Sequence, residues 1–182
     1  YTVFKSFLTK NEILKAKKEV KKISKIIKKK YKPPYVYLTK DSKIDTVHGL
    51  HKFFPKSILL KFAKKKIIKS FYKDLYKDNS KIWKLQIFAK PKNTGLAAPF
   101  HQDNYYWCVN NANALTIWIA LDKVSKSNGS ICYYEKSHCA GLFKHSPSFS
   151  KGSSQKITDN RVLRSFKKIH TNLLPGDALI HH

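Results

Sequence analysis

Near Lys81 the apolar period of this chain changes from 3.6 residues to 2, and few architectures accommodate that order. Before the change, Ile13, Ala16, Val20, Ile23 and Ile27 recur at spacings of three and four. This predicts an amphipathic helix with lysines on its outer face. Thr9 and Glu12 form a capping-box pattern at its start, and Pro33-Pro34 ends it. A short strand precedes the helix over Tyr1 to Leu8, and strand and turn follow over Tyr35 to Asp45. A second helix is predicted from about Pro55 to Leu75, with Leu59, Phe62, Ile67, Phe71 and Leu75 as its stripe. Both helices read as packing elements.

After the change, Trp83, Leu85, Ile87 and Ala89 alternate with Lys84, Gln86 and Phe88. Leu115, Ile117, Ile119 and Leu121 alternate with Thr116, Trp118 and Ala120. Ser130 to Tyr134 and Ala178 to His181 read as further short strands. Turn signals separate them at Pro91-Lys92-Asn93-Thr94-Gly95, Ser127-Asn128-Gly129 and Pro175-Gly176-Asp177. The serine-rich stretch Ser146 to Ser154 reads as a long mobile loop. Helices first and antiparallel strands after predict an α+β chain with a mainly β core, a sandwich or jelly roll.

The formal charge of +26 raises nucleic acid or an anionic surface as a partner. The positive charge is almost all lysine; Arg161 and Arg164 are the only arginines. Readers of phosphate and base edges favour the bidentate guanidinium fork. Lys is accompanied by Ile, Asn, Tyr and Phe, the set an AT-rich coding sequence favours, so a solvated basic surface is the simpler reading. A polyanion- or nucleic-acid-binding β-sandwich without catalytic activity is the alternative. No apolar run approaches the ~20 residues of a membrane helix, and no signal peptide is evident. Three cysteines in no framework spacing predict a reduced, cytoplasmic protein. Both ends of the chain read as cut.

The chemistry is expected in Pro99-Phe100-His101-Gln102-Asp103. On an extended chain residues i and i+2 share a face, so His101 and Asp103 can reach one metal ion. An imidazole and a carboxylate, closed by a distant His, make a facial triad with positions left open on iron(II). A zinc site from Cys132, His138, Cys139 and His145 matches no finger or ribbon spacing. Ser-His-Asp hydrolysis has no Gly-x-Ser-x-Gly in support.

The His-x-Asp segment is followed in order by Thr116-Ile117-Trp118-Ile119-Ala120-Leu121-Asp122, Asn128-Gly129-Ser130, Ser137-His138 and Leu174-Pro175-Gly176-Asp177-Ala178-Leu179-Ile180. This series, from about Leu85 to His182, resembles the phytanoyl-CoA dioxygenase family of Fe(II)/2-oxoglutarate-dependent oxygenases. The resemblance implies a double-stranded β-helix, cupin-like, with the N-terminal helices packed on it. It implies one oxygenase domain over 1–182: a helix-rich part over 1–80 and a β-helix core over 81–182 that lacks its C-terminal strands. His101 and Asp103 match the first two iron ligands. Gln86, Gln102 and Trp118 match positions near 2-oxoglutarate, although strict alternation turns Gln102 away from the metal. Ile117 and Ile119 should point into the opposite layer. Asn104 to Trp107 could line the substrate mouth or pack the barrel end.

Two departures matter. The family's Pro-Gly-Ser-His is Glu135-Lys136-Ser137-His138 here. The third iron ligand and an arginine for 2-oxoglutarate fall beyond His182 by the family's spacing. His181 and His182 therefore match the preceding strand, and are expected to pack or to face the cavity. The implied reaction is hydroxylation of an unactivated C–H bond of a small molecule, with O2 consumed and succinate and CO2 released. Related halogenases carry a small residue where Asp103 stands, so its carboxylate favours hydroxylation.

Overall fold

A computed structural model describes residues 1–91, 97–109, 113–150 and 153–182. The predicted turn at Pro91 to Gly95 lies outside the described residues after Pro91. Strand β1 (Thr2–Phe4) and helix α1 (Lys10–Lys30) lead into β2 (Val36–Leu38) and β3 (Ile44–Val47). Helices α2 (Leu50–Phe53), α3 (Ile58–Ala63) and α4 (Lys66–Tyr76) follow, then β4 (Ile87–Phe88) and α5 (Asn104–Trp107). The remainder is β5 (Thr116–Ile119), β6 (Cys132–Tyr134), β7 (His145–Ser150), β8 (Ser153–Ile157), β9 (Lys168–His170) and β10 (Ala178–His181). The architecture is α+β, with four small antiparallel sheets among the described residues: β1-β10-β5, β2-β3-β4, β6-β9 and β7-β8. The described strands do not by themselves close into a double-stranded β-helix. Among the described residues no helix is long and apolar enough to cross a membrane.

The sheet β1-β10-β5 separates two layers. Leu179 lies opposite Val3 and Trp118, and Ile180 opposite Thr2 and Ile117. Alternation sends Ala178, Ile180, Ile117, Ile119 and Phe4 toward the helices, where they meet Phe7, Ala16, Phe62 and Ile68. The other face carries Val3, Trp118, Ala120 and Leu179, packed with Leu173 and Tyr133. Ile117 and Ile119 thus occupy the layer opposite Trp118, as their register requires.

Helix α1 begins where the sequence predicts. The Thr9 hydroxyl accepts from Glu12 N at 3.2 Å, and the Glu12 carboxylate accepts from Thr9 N at 2.9 Å. Ala16, Ile23 and Ile27 are its buried face. The predicted second helix is instead broken at Lys64 and Lys65, where Lys65 is extended with ψ 142°. The Lys65 ammonium donates to Phe7 O and to Glu12 Oε2, each at 2.9 Å. Breaking the helix lets that ammonium reach α1, a tertiary contact invisible to periodicity. The break also re-phases the stripe: Phe62 and Ile68 are buried, while Ile67 and Leu75 are about half exposed.

Two β expectations are corrected. Only Ile87 and Phe88 of the predicted strand around Leu85 enter a ladder. Leu85 is diverted to α2, its carbonyl accepting from Leu50 N and its N–H donating to His51 Nδ1. Of the serine-rich stretch read as a loop, Ser146 to Ser150 and Ser153 to Ser154 are strand, in β7 and β8, paired from His145↔Ile157 to Ser150↔Ser153 around a bulge; 151–152 lie outside the described residues. Its strands are polar, so they lack the apolar alternation by which strands are recognised. Phe149, at the bulge, has φ +56° and is 95% exposed.

The turn into β10 is held by Asp177. Its Oδ1 accepts from Ser6 N and its Oδ2 from Leu174 N, both at 2.9 Å, with Lys5 Nζ at 3.1 Å from Oδ2. Gly176 takes φ +93° there, and a Cβ would stand 2.7 Å from Leu8 O. Burial pushes the Asp177 pKa up, but the N–H groups of Leu174 and Ser6 and the Lys5 ammonium bring it below its ordinary value. Asp177→Ala leaves two backbone donors without their acceptor and should cost about 2–3 kcal/mol in urea melts at neutral pH. A carboxyl with a depressed folded pKa stabilises above its unfolded value, near ~3.9, and that stabilisation is lost as pH falls through the folded value. The gap between wild type and variant should therefore shrink in acid; a gap independent of pH would show that the carboxylate charge plays no part.

Candidate functional site

The segment from Pro99 to Asp103 is not a strand. Asp103 is helical, with φ −59° and ψ −36°, and opens α5. The expected i, i+2 alternation therefore does not operate, yet the two side chains converge by a different route. His101 Nδ1 lies 2.8 Å from Pro99 O, a bond it makes as N–H donor. That tautomer leaves the Nε2 lone pair free, and Nε2 faces Asp103 Oδ1 at 3.4 Å. Two acceptors at that distance repel unless a cation lies between them, a proton or a metal ion. Two donors each ~2.1 Å from one ion would be separated by about this distance.

The Asp103 carboxylate favours a proton there. Burial pushes His101 down, but the Asp103 hydrogen bond, the Pro99 carbonyl and the Asp103 charge outweigh it and raise its pKa. Burial likewise raises Asp103, but the bonds from His101, His181 and Thr116 hold its carboxyl well below the usual carboxylate range. Oxygen Oδ2 of Asp103 accepts from Thr116 Oγ1 at 2.6 Å and faces His181 Nε2 at 3.2 Å. Tyr133 Oη stands 2.6 Å from the other His181 nitrogen, Nδ1. The Tyr1 ring stacks on Tyr133 at 4.7 Å. Burial, then the Asp103 charge, pushes the Tyr133 phenol up, so it stays protonated.

The elements explain these positions. Thr116 and His181 are direct partners in the β5–β10 register. Thr116 and Trp118 are two residues apart on one strand, so Trp118 shares the face whose hydroxyl reaches Asp103. Among the residues near the metal motif, sequence reasoning missed Thr116 and Tyr133. The signal for Thr116 was available, because it sits on the Trp118 side of an alternating strand; Tyr133 reveals itself only through tertiary contact. His181 faces the site, whereas His182 is exposed with its ring 6.2 Å from that of His138.

The other predicted residues divide. Gln102 turns away from the metal pair. Its Oε1 accepts from Phe143 N at 2.7 Å and its Nε2 donates to Gly141 O at 2.9 Å. Its backbone N–H donates to Nε2 of buried His145 at 3.0 Å. Ile157 N also donates to Phe100 O at 2.8 Å, so the hairpin braces the segment along its length. Tyr105 and Tyr106 serve the same brace: the Tyr105 ring stacks on His145 at 4.1 Å, and Tyr106 Oη bonds both Gln155 N and Gln155 O. Gln86 immediately precedes β4, in the sheet β2-β3-β4 rather than the one that carries Thr116 and Trp118, and neighbours His48. The three cysteines are free. Among the described residues, no three His, Cys, Asp or Glu are arranged to hold a metal ion. His101 and Asp103 supply two donors of the right chemistry.

A family model described as phytanoyl-CoA dioxygenase (PhyH) matches residues 1–182. A curated relative, phytanoyl-CoA dioxygenase 1 of Oryza sativa subsp. japonica, is 31% identical over 96 residues, 52% of this chain. The match spans 33% of that relative's length. With the family model matching residues 1–182, this chain belongs to the phytanoyl-CoA dioxygenase (PhyH) family.

Proposed function

We propose that this chain is the iron-binding part of a non-haem Fe(II)/2-oxoglutarate-dependent dioxygenase, one oxygenase domain on a jelly-roll scaffold. The substrate is a small molecule, hydroxylated at an unactivated C–H bond as 2-oxoglutarate gives succinate and CO2. The observation that carries the reading is the pair of acceptors, His101 Nε2 and Asp103 Oδ1, turned toward each other at 3.4 Å. Family membership supports dioxygenase chemistry in general.

His101 and Asp103 would hold the iron. When bound, the iron supplies O2 activation, with 2-oxoglutarate as the electron donor. The Pro99 carbonyl keeps the His101 proton on Nδ1, so Nε2 remains a ligand atom. The depressed pKa of Asp103 keeps it ionised at working pH. Thr116 takes Oδ2 and leaves Oδ1 for the metal. Trp118 lines the 2-oxoglutarate side, backed by Ala120, Leu173 and Leu179, which exclude water. Gln102 acts by holding the ligand segment to residues 141–143. Gln86 would complete the pocket from the strand before the metal motif. The Asp103 carboxylate fills the position a halide would need, which favours hydroxylation over halogenation.

Metal titration tests the site. With two side-chain donors, the wild-type chain should bind Fe(II) or Co(II) weakly, and His101→Ala or Asp103→Ala should weaken binding at least ~10-fold, the scale of a disturbed metal shell. Equal affinity in all three proteins would remove the site. Turnover tests the reaction: 2-oxoglutarate-dependent succinate formation should vanish in Asp103→Ala. The +26 charge suggests the competing outcome, a salt-steep affinity for nucleic acid that ignores the same substitution.

A further inference from the structure

We propose that His181 is a positioning residue for Asp103, itself held by Tyr133; this rests on the iron-oxygenase reading above. His181 Nε2, 3.2 Å from Asp103 Oδ2, is placed to donate to it. His181 Nδ1 meets the Tyr133 hydroxyl at 2.6 Å, which holds the ring from its other side. The line of contacts runs Tyr133 to His181 to Asp103. A second donor, Thr116 Oγ1, meets the same Oδ2 at 2.6 Å.

Two donors on Oδ2 leave Oδ1 turned to His101 Nε2. They come from directly paired residues of β5 and β10, so their spacing is set by a backbone ladder rather than by flexible side chains. Tyr133 comes from a different sheet, and its ring is stacked against Tyr1. The carboxylate is thereby oriented from two sheets at once. Outer-shell donors of this kind tune a metal ligand without touching the metal.

The metal-free protein gives the first measurement. Long-range 1H–15N NMR should show a proton on His181 Nε2, and Tyr133→Phe, which keeps the ring and loses the hydroxyl, should shift the Nδ1 signal. A wild-type His181 with no proton on Nε2 overturns the proposal. Co(II) titration gives the second. His181→Phe should weaken Co(II) binding ~10-fold or more. His181→Gln, which can still donate an N–H, should recover most of that loss. A shift in melting temperature with unchanged Co(II) affinity would reduce His181 to a packing role and overturn the proposal. Loss of the Co(II) absorption bands in His181→Gln, to the extent seen in Asp103→Ala, would make His181 a ligand and overturn it too. If wild type binds no Co(II), the iron reading fails, and the NMR measurement alone decides whether His181 holds Asp103.

Discussion

Much of this molecule follows from strict alternation across three short strands. In β1-β10-β5 every second residue must face the helices and every other must face away. The helix side receives Ile117, Ile119, Ala178 and Ile180 and becomes an apolar seal. The far side combines a packed interior at Trp118, Ala120 and Leu179 with polar groups at Thr116 and His181. A slip of one residue would bury Thr116 and His181 among the helices and expose their apolar partners. Asp177 and Gly176, at the entrance to β10, make that slip costly by anchoring the turn to Ser6, Leu8 and Leu174.

On this frame Asp103 is held by the start of α5, and the residues before it by their surroundings. Phe100 O and Gln102 N bond to Ile157 and His145, and the Gln102 carboxamide spans 141–143. Both side chains that point inward are oriented at their outer atoms, His101 through Nδ1 and Asp103 through Oδ2. What remains is a nitrogen and an oxygen, both lone-pair bearing, with space between them for one positive charge. Such a pair favours a cation between its two atoms, and the Asp103 carboxylate draws a proton toward His101 accordingly.

The sequence made some of this legible and hid the rest for physical reasons. Capping at Thr9 and Glu12, the extent of β10 and the opposed facing of Ile117 and Trp118 are local, so they could be read directly. The break at Lys65 could not, because its cause is an ion pair with Glu12 more than fifty residues away in the chain. The polar hairpin at His145 to Ile157 carries no apolar period, and its order comes from backbone pairing and from Tyr106. The convergence of His101 and Asp103 was anticipated on the wrong geometry: an extended segment was expected, and a helix start does the same work. Tyr133 gains meaning only once β6 and β10 are assembled.

The hairpin brace has an evolutionary corollary. Rungs near His145 and Ile157 touch the Phe100–Gln102 segment, whereas the bulge around Phe149 projects into solvent. Mutational tolerance should therefore form a gradient along these strands. The paired base is coupled to the placement of His101 and Asp103, and the exposed bulge is free to acquire new surface chemistry without disturbing that pair.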